Sequence, residues 1–387
     1  MQEPRVVYVS ATATAYGGEN ALTDLVLKIR AQVDPIVVCP EDGPLLDALK
    51  ASDIQTRVVP FPVLDRKYFH PARIFIFLAA LPGSILRLRR LLRELSPSIV
   101  HSNNVLILPA ALASKSLGIP HIWHIREIIE RHHIHPLLWK IWRWLILTCS
   151  DRVVCISRAV QEQFEGSGKA VVIQDGVDIR LFRPDRSRGR SRSRKQKEVL
   201  VGIVGRLDHR RKGQDTFIQA ASIASRSHPN LRFVIAGHAR ENMGEKESRL
   251  YDLVMELGME KIVEFTGFIG RDRMPELIKR LDIVVLCSRK PEGLGIVLLE
   301  GMSCGKSVIS FAEGGPLDII DDTKNGMLVE PGNVQSLAAA MVKLAGNPKM
   351  RRALGTEGRK TVESRFSDEE TARNILKLYS EVLSARG

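Results

Sequence analysis

The chain of 387 residues is long enough for two domains, each with its own hydrophobic core. Hydrophobic residues make up 44% of it and charged residues 26%, a composition that excludes a disordered chain and a polytopic membrane protein. The formal charge of +13 favours anionic ligands, but no zinc-finger spacing or aromatic RNA-binding strand accompanies it, so nucleic acid is not an expected partner.

Short apolar runs alternate with helical patterns through the first half of the chain. The predicted strands are 5–10, 36–39, 99–102, 121–124, 153–156 and 171–174. This alternation predicts a parallel sheet. The first strand begins at once, without the apolar core of a signal peptide, and the five cysteines form no C-x-x-C pair. These features predict a cytoplasmic protein with reduced, buried cysteines.

Two stretches of the first half are both apolar and basic. Residues 74–81 are apolar and run into four arginines between positions 87 and 93, and residues 136–147 hold three of the four tryptophans. Each stretch is too short to span a bilayer, which takes about 20 apolar residues. Two interpretations are open: a buried helix with cationic ends, or an interfacial helix that rests on an anionic membrane surface.

A basic segment separates the two halves of the chain. Residues 186–197 contain seven Arg or Lys, which predicts a solvated linker kept open by its own charge. Contact with anionic lipid or with an acidic acceptor is the alternative. We therefore predict a first domain over 1–183, a linker over 184–198 and a second domain over 199–366, followed by a helix over 367–387.

The second half repeats the alternation of strands and helices. Its predicted strands are 199–204, 231–236, 263–266, 283–287, 307–310 and 326–329. After the fourth strand, Glu292 leads a turn with Gly293 and Gly295, and Glu300 follows within a predicted helix. Open α/β sheets bind ligands at such strand ends, glycines allow close approach, and a helix N-terminus attracts an anion. A phosphate site between two hydroxyl-binding carboxylates suits a nucleotide sugar.

This segment resembles the Glu-x7-Glu signature of the retaining glycosyltransferases of the GT-B fold, the large family numbered four. Leu294 stands where the family commonly has Phe, and Asp175 where it commonly has Asn. Other stretches that resemble the family are Gly205-Arg206-Leu207 with Lys212-Gly213, Gln174-Asp175-Gly176-Val177-Asp178, 305–309 and 314–318. The resemblance is dense from 199 to 366 and sparse before 155.

The resemblance implies an α/β protein of GT-B fold, with two Rossmann-like domains whose parallel sheets face a cleft and a C-terminal helix that packs back on the first domain. It places the donor site in the second domain. Arg206 and Lys212 would neutralise the donor diphosphate. Glu292 would lie beside the transferred sugar, and Glu300 would bind the ribose. The other donor-binding residues that it implies are Gly293, Leu294, Gly295, Ile296, Gly267, Phe268 and Ile269.

The first domain is expected to hold the acceptor. Gly17 and Gly18 follow the first strand and resemble the family's glycine loop beneath the diphosphate, although an ordinary βα turn has the same composition. His124 ends a predicted strand and matches a position where the family often places an active-site His, with His101 as a second candidate. The next residues, Ile125-Arg126-Glu127, replace the commoner His-Asp or His-Thr patterns.

The reaction implied by the resemblance is transfer of a hexose from a nucleotide-diphosphate sugar with retention of configuration, without a metal or another cofactor. The histidine-rich stretch 131–135 lacks the spacing of a metal site and is interpreted as an acceptor-side loop. A UDP-sugar is favoured over a GDP-sugar as the donor. The expected acceptor is a saccharide or a lipid-linked hydroxyl in envelope, lipopolysaccharide or exopolysaccharide assembly, which peripheral association with the cytoplasmic membrane would suit.

Two other functions are compatible with the same motifs. The first is a GT-B phosphorylase or synthase that acts on a small sugar. The second is a non-catalytic, membrane-associated scaffold that binds a nucleotide sugar. The joint presence of Glu292, Glu300, Arg206 and Lys212 favours catalysis.

Overall fold

The structure is a computed structural model that describes residues 3–63, 71–129, 135–185, 198–239 and 244–386. The chain divides into two compact units. The first comprises Met1–Asp175 together with Asp368–Gly387, and the second comprises Gly176–Ser367. Most of the predicted basic linker and of the histidine-rich stretch falls outside the described residues.

The first unit contains a sheet of seven parallel strands in the order β3-β2-β1-β4-β5-β6-β7. The strands are β1 (Arg5–Val9), β2 (Asp34–Cys39), β3 (Gln55–Val58), β4 (Ile99–Ser102), β5 (His121–Ile125), β6 (Arg152–Cys155) and β7 (Ala170–Val172). Six of them confirm the predicted strands. The sequence analysis missed β3 because this edge strand is largely accessible and contains no apolar run.

Helices cover both faces of this sheet. They are α1 (Gly17–Ile29), α2 (Pro44–Lys50), α3 (Pro71–Leu95), α4 (Leu108–Ser116), α5 (Pro136–Cys149), α6 (Arg158–Gln161) and the C-terminal helix α15 (Asp368–Ser384). One core lies between the sheet and α1, α2 and α15, and another lies between the opposite face and α3 and α4. Ile375, Leu378 and Tyr379 of α15 belong to the first of these cores, so the chain end is part of the first unit.

The second unit contains a sheet of six parallel strands in the order β10-β9-β8-β11-β12-β13. The strands are β8 (Val199–Val204), β9 (Leu231–Ala236), β10 (Val263–Gly267), β11 (Ile283–Leu286), β12 (Ser307–Phe311) and β13 (Met327–Val329). The helices are α7 (His209–Lys212), α8 (Gln214–Ser227), α9 (Gly244–Glu256), α10 (Met274–Arg280), α11 (Ile296–Ser303), α12 (Pro316–Ile319), α13 (Val334–Gly346) and α14 (Pro348–Arg365). All six strands predicted for this half are confirmed.

In each sheet the strand order changes direction between two central strands, which form a topological switch point. These strands are β1 and β4 in the first unit and β8 and β11 in the second. Beyond the carboxyl ends of two such strands the loops diverge and leave a crevice that binds ligands in open α/β sheets. In the second unit, the loop after β8 carries Arg206 and Lys212, and the loop after β11 carries Glu292. Three of the predicted catalytic residues therefore border one crevice.

The predicted α/β class with two parallel sheets is confirmed. The five cysteines are buried free thiols, as predicted. Among the helices that the structure describes, none combines the length and the apolar character that crossing a bilayer requires.

Candidate functional site

A lysine and a glutamate form an ion pair at the crevice of the second unit. The Lys212 Nζ lies 2.6 Å from the Glu292 Oε1, and the Ser288 hydroxyl donates to the same oxygen. Burial alone would raise the pKa of Glu292. The Lys212 ammonium, assisted by the Ser288 hydroxyl, outweighs burial and holds this pKa below its usual range. Glu292 is therefore ionised at neutral pH and able to accept hydrogen bonds from hydroxyl groups.

Lys212 is positioned by a short helix that is fixed to the end of β11. The helix α7 ends at Gly213, which adopts the left-handed conformation with φ of +71°. A Cβ on Gly213 would lie 2.0 Å from the Cys287 carbonyl oxygen, so this approach requires glycine. The Arg289 N–H also donates to the Arg211 carbonyl at 2.9 Å. These contacts place Lys212 next to Glu292, although the two residues are 80 positions apart in the sequence.

Arg206 lies on the same loop, between β8 and α7. The Leu207 N–H donates to the His238 carbonyl at 3.0 Å, and the Gln214 side-chain amide donates to the Arg206 carbonyl at 2.8 Å. The backbone around Arg206 is therefore attached to the segment after β9 and to α8. Arg206 and Lys212 are both partly exposed, so this loop presents two cations at the crevice.

The segment from Glu292 to Glu300 is held by the loop after β12. The Gly315 N–H donates to the Glu292 carbonyl at 2.8 Å, and a Cβ on Gly315 would lie 2.3 Å from the Leu294 Cα. Residues 293–295 form the turn that leads into α11, and the start of this helix at Ile296 confirms the predicted one. Leu294 is buried, whereas Glu300 lies just over one turn into the helix and is partly exposed.

The predicted base-binding segment lies further along the same edge of the sheet. Gly267 ends β10, which is separated from β8 by β9. The Gly237 N–H donates to the Gly267 carbonyl at 3.0 Å. Phe268 is 64% exposed, and its ring meets the His238 ring edge-on, with centroids 5.0 Å apart. An exposed aromatic ring here can stack on a base, and the role of Gly267, Phe268 and Ile269 stays a prediction.

The glycine pair of the first unit lies beside a buried ion pair. Gly17 and Gly18 begin α1, and the Asn103 side-chain amide donates to the Gly18 carbonyl at 3.3 Å. The Arg126 Nε donates to the Asn103 Oδ1 at 2.9 Å, and the guanidinium pairs with Asp175. Arg126 and Asp175 are each only 8% exposed. Two charged residues inside the unit thus support the start of α1 through Asn103.

The two predicted histidines lie side by side in the interior of the first unit. The His101 Nε2 and the His124 Nδ1 are 3.1 Å apart, and the His101 Nδ1 lies 2.7 Å from the Tyr379 hydroxyl. Burial, with the nearby Arg126 charge as a smaller cause, lowers the pKa of His101 to about 3 and also lowers that of His124. Both rings are therefore neutral at physiological pH. His124 has no exposed surface in this structure, and its catalytic role stays a prediction.

The first unit should lose stability as the pH falls below about 6.5. Burial lowers the pKa of His121 to about 4, so three buried histidines, His101, His121 and His124, stay neutral while the unfolded chain takes up protons. Each one should lower the free energy of unfolding by up to about 1.4 kcal/mol per pH unit. All four tryptophans belong to this unit, so urea unfolding followed by tryptophan fluorescence at about pH 7.5 and about pH 5.5 measures the loss.

Glu127 acts in the opposite direction in the same experiment. Glu127 keeps exposed surface, but desolvation of its carboxyl group by the surrounding protein raises its pKa to about 7, against the opposing effect of the Arg126 charge, so its folded form binds a proton more readily than its unfolded form. Glu127→Gln removes this contribution and should steepen the loss of stability below about pH 6.5. Equal stability of the parent chain at both pH values would contradict the prediction.

Several residues of these sites were missed by the sequence analysis. Ser288 and Asn103 received no role, because a single serine or asparagine carries no specific motif. Arg126 and Asp175 were each recognised as a departure from the family pattern, and this was a usable signal. The sequence analysis did not identify them as partners in an ion pair. Among the described residues, no group of three His, Cys, Asp or Glu is arranged to hold a metal ion.

Two family models match the chain, one on each unit. The model described as Glycosyltransferase Family 4 matches residues 15–181, and the model described as Glycosyl transferases group 1 matches residues 185–361. Between them they span both the glycine pair and the Glu292–Glu300 segment.

Two curated relatives each match just over half of the chain. A D-inositol 3-phosphate glycosyltransferase of Corynebacterium jeikeium is 30% identical over 241 residues, which are 59% of this chain and 57% of the relative. The putative glycosyltransferase EpsD of Bacillus subtilis is 32% identical over 209 residues, which are 53% of this chain and 52% of EpsD. The chain thus spans just over half the length of these relatives.

Solved structures share the fold over nearly the whole chain. HepE of Anabaena in complex with UDP superposes with a TM-score of 0.83 at 22% identity, over 97% of this chain and 100% of HepE. Sucrose-phosphate synthase of Thermosynechococcus elongatus superposes with a TM-score of 0.77 at 19% identity, over 99% and 100% of the two chains. The expected GT-B fold is confirmed.

Proposed function

This chain belongs to the glycosyltransferases, since a Family 4 model matches its first unit and a group 1 model its second, and we propose that it transfers a hexose from a UDP-sugar to a hydroxyl group of a saccharide or lipid-linked acceptor. One observation carries the proposal: the Lys212–Glu292 pair lies at the crevice of the second unit, with Arg206 on the same loop. Cations bind phosphate and an ionised carboxylate binds sugar hydroxyls. Together they match the diphosphate and the sugar of a nucleotide-diphosphate sugar.

In the proposed reaction, the two cations of this loop stabilise the leaving group. Arg206 and Lys212 stabilise the negative charge that develops on the diphosphate as its bond to the sugar breaks. The Lys212 ammonium has three N–H donors, so it can keep Glu292 and bind phosphate at the same time. The acceptor oxygen forms the new bond on the face that the diphosphate leaves, and the acceptor proton passes to the departing phosphate. The transfer then retains the configuration of the sugar.

The donor and the acceptor are proposed on separate grounds. HepE was solved with UDP and with UDP-glucose, which supports UDP over GDP for a chain of the same fold. The apolar and basic helices of the first unit support a lipid-linked acceptor, such as those used in envelope or exopolysaccharide assembly. In this scheme Glu300 binds the ribose and Phe268 contacts the base.

Calorimetry with UDP, GDP, ADP and UDP-glucose tests the donor site. We expect UDP to bind, and Glu300→Ala to weaken it by about tenfold or more, because a carboxylate that accepts ribose hydroxyls is lost. Glu260→Ala, an exposed residue of the same unit, is the matched control. A chain that binds no nucleotide would contradict the proposal, and UDP binding without transfer to any acceptor would favour a scaffold.

A further inference from the structure

The helix α5 presents apolar residues on two opposite faces. Trp139, Ile146 and Cys149 face the interior of the first unit and are each less than 8% exposed. A surface helix normally turns a polar face to water opposite such a buried face. In α5 the opposite face is apolar instead.

The outward face of α5 is a regular stripe. Leu137, Ile141 and Trp144 follow one another at intervals of four and three residues, which places them on one side of the helix. Their exposed fractions are 58%, 47% and 61%. Lys140 lies between them on the same side and is exposed. The fourteen residues of α5 include no Asp or Glu.

A second exposed apolar stripe lies on α3. Phe75, Leu78 and Leu86 are 69%, 51% and 53% exposed on one side of this helix. The same side continues into the exposed Arg90 and Arg93 near its end. Both α3 and α5 pack against α4, and successive right-handed crossovers place all three helices on one side of the first sheet.

Two further lysines lie at the C-terminal end of α5. The Lys115 Nζ donates to the Thr148 carbonyl at 2.9 Å, and the Lys169 Nζ donates to the Leu147 carbonyl at 2.7 Å. These ammonium groups compensate the negative end of the helix dipole. Lysine side chains therefore lie both beside the apolar stripe of α5 and at the C-terminal end of this helix.

We propose that the α3/α5 surface, formed by Phe75, Leu78, Leu86, Arg90, Arg93, Leu137, Lys140, Ile141 and Trp144, binds the headgroup region of an anionic lipid bilayer. Exposed leucine, isoleucine and tryptophan side chains insert at the boundary between headgroups and acyl chains. Lysine and arginine contact anionic headgroups, and tryptophan favours this depth of the bilayer. The inference does not depend on the proposed sugar transfer, since lipid binding is measured without a donor.

A second copy of the chain fits this surface less well. A two-fold dimer would place the same patch of each copy against the other. The basic residues around the two stripes would then face one another and repel. An anionic bilayer supplies the opposite charge and a flat apolar layer that convex helix faces can enter.

Vesicle sedimentation tests the proposal with the full chain. We expect binding to vesicles of phosphatidylcholine mixed with phosphatidylglycerol, little binding to phosphatidylcholine alone, and weakening by added salt. The double substitution of Ile141→Gln with Trp144→Gln should lower the affinity at least about tenfold, because two inserted apolar side chains are lost. Both positions are exposed, so the fold should be retained. Met255→Gln, at a residue of the second unit that is 65% exposed, should leave binding unchanged.

Three results would overturn the inference. The first is no binding of the folded chain to anionic vesicles at low salt. The second is equal binding of the parent and of the double variant. The third is a dimer in sedimentation velocity that the double variant abolishes, together with no vesicle binding, since the surface would then join two copies of the chain.

Discussion

Replacing Lys212 with methionine should slow sugar transfer by at least about 100-fold, the scale for losing one preorganised charged group. Methionine keeps much of the length of the side chain but removes the ammonium that lies 2.6 Å from Glu292. The departing diphosphate loses a cation. In addition, Glu292 loses the group that holds its pKa low. Steady-state transfer from the nucleotide sugar that calorimetry identifies is the measurement.

The matched control is Lys349→Met, because Lys349 is an exposed lysine in the same unit. It should leave transfer within about twofold of the parent, as surface substitutions usually do. Far-UV circular dichroism on heating shows whether both variants are folded. A folded Lys212→Met variant with transfer within about threefold of the parent would exclude the proposed role of Lys212.

A double variant tests whether Lys212 and Glu292 act together. Groups in direct contact give non-additive effects. The combination of Lys212→Met with Glu292→Gln should therefore reduce transfer by much less than the product of the two single effects. If the double variant reduces transfer by the full product of the two single effects, Lys212 and Glu292 act independently, and their ion pair has no role in transfer.

The strands and the loop order of the second unit could be predicted because buried parallel strands are continuous apolar runs. β8 and β9 have the predicted bounds. The contact that positions Lys212 could not be predicted. It depends on Gly213 meeting the Cys287 carbonyl, and one glycine in a basic loop does not identify a partner that lies far away in the chain.

The first unit shows the same limit at a charged pair. Arg126 and Asp175 stand out in the sequence as separate departures from the family pattern, yet they are 49 residues apart and follow different strands. Only the adjacent positions of β5, β6 and β7 in the sheet bring them together. The histidines show a further limit, since the sequence places His124 at a strand end but does not reveal that its ring is fully buried.

Removing the Arg126 charge should therefore destabilise the first unit strongly. Arg126→Met leaves the Asp175 carboxylate buried without its cation, and breaking a buried ion pair in this way costs about 3–5 kcal/mol. Removing both charges is less costly than removing one, because no uncompensated charge then remains inside. Arg126→Met combined with Asp175→Asn should therefore recover at least about half of the loss. Recovery should not be complete, since Asn103 still lacks its Arg126 donor.

Urea unfolding followed by tryptophan fluorescence measures these changes, because every tryptophan lies in the first unit. Lys50→Met is the matched control: its ion pair with Asp42 is exposed, with side-chain accessibilities of 47% and 64%. Exposed pairs contribute about 0–1 kcal/mol, so this variant should unfold close to the parent. If Arg126→Met also unfolds at a urea concentration close to that of the parent, the buried pair does not stabilise the unit. If Asp175→Asn recovers nothing, the cost belongs to the Asn103 contact and not to the charge of Asp175.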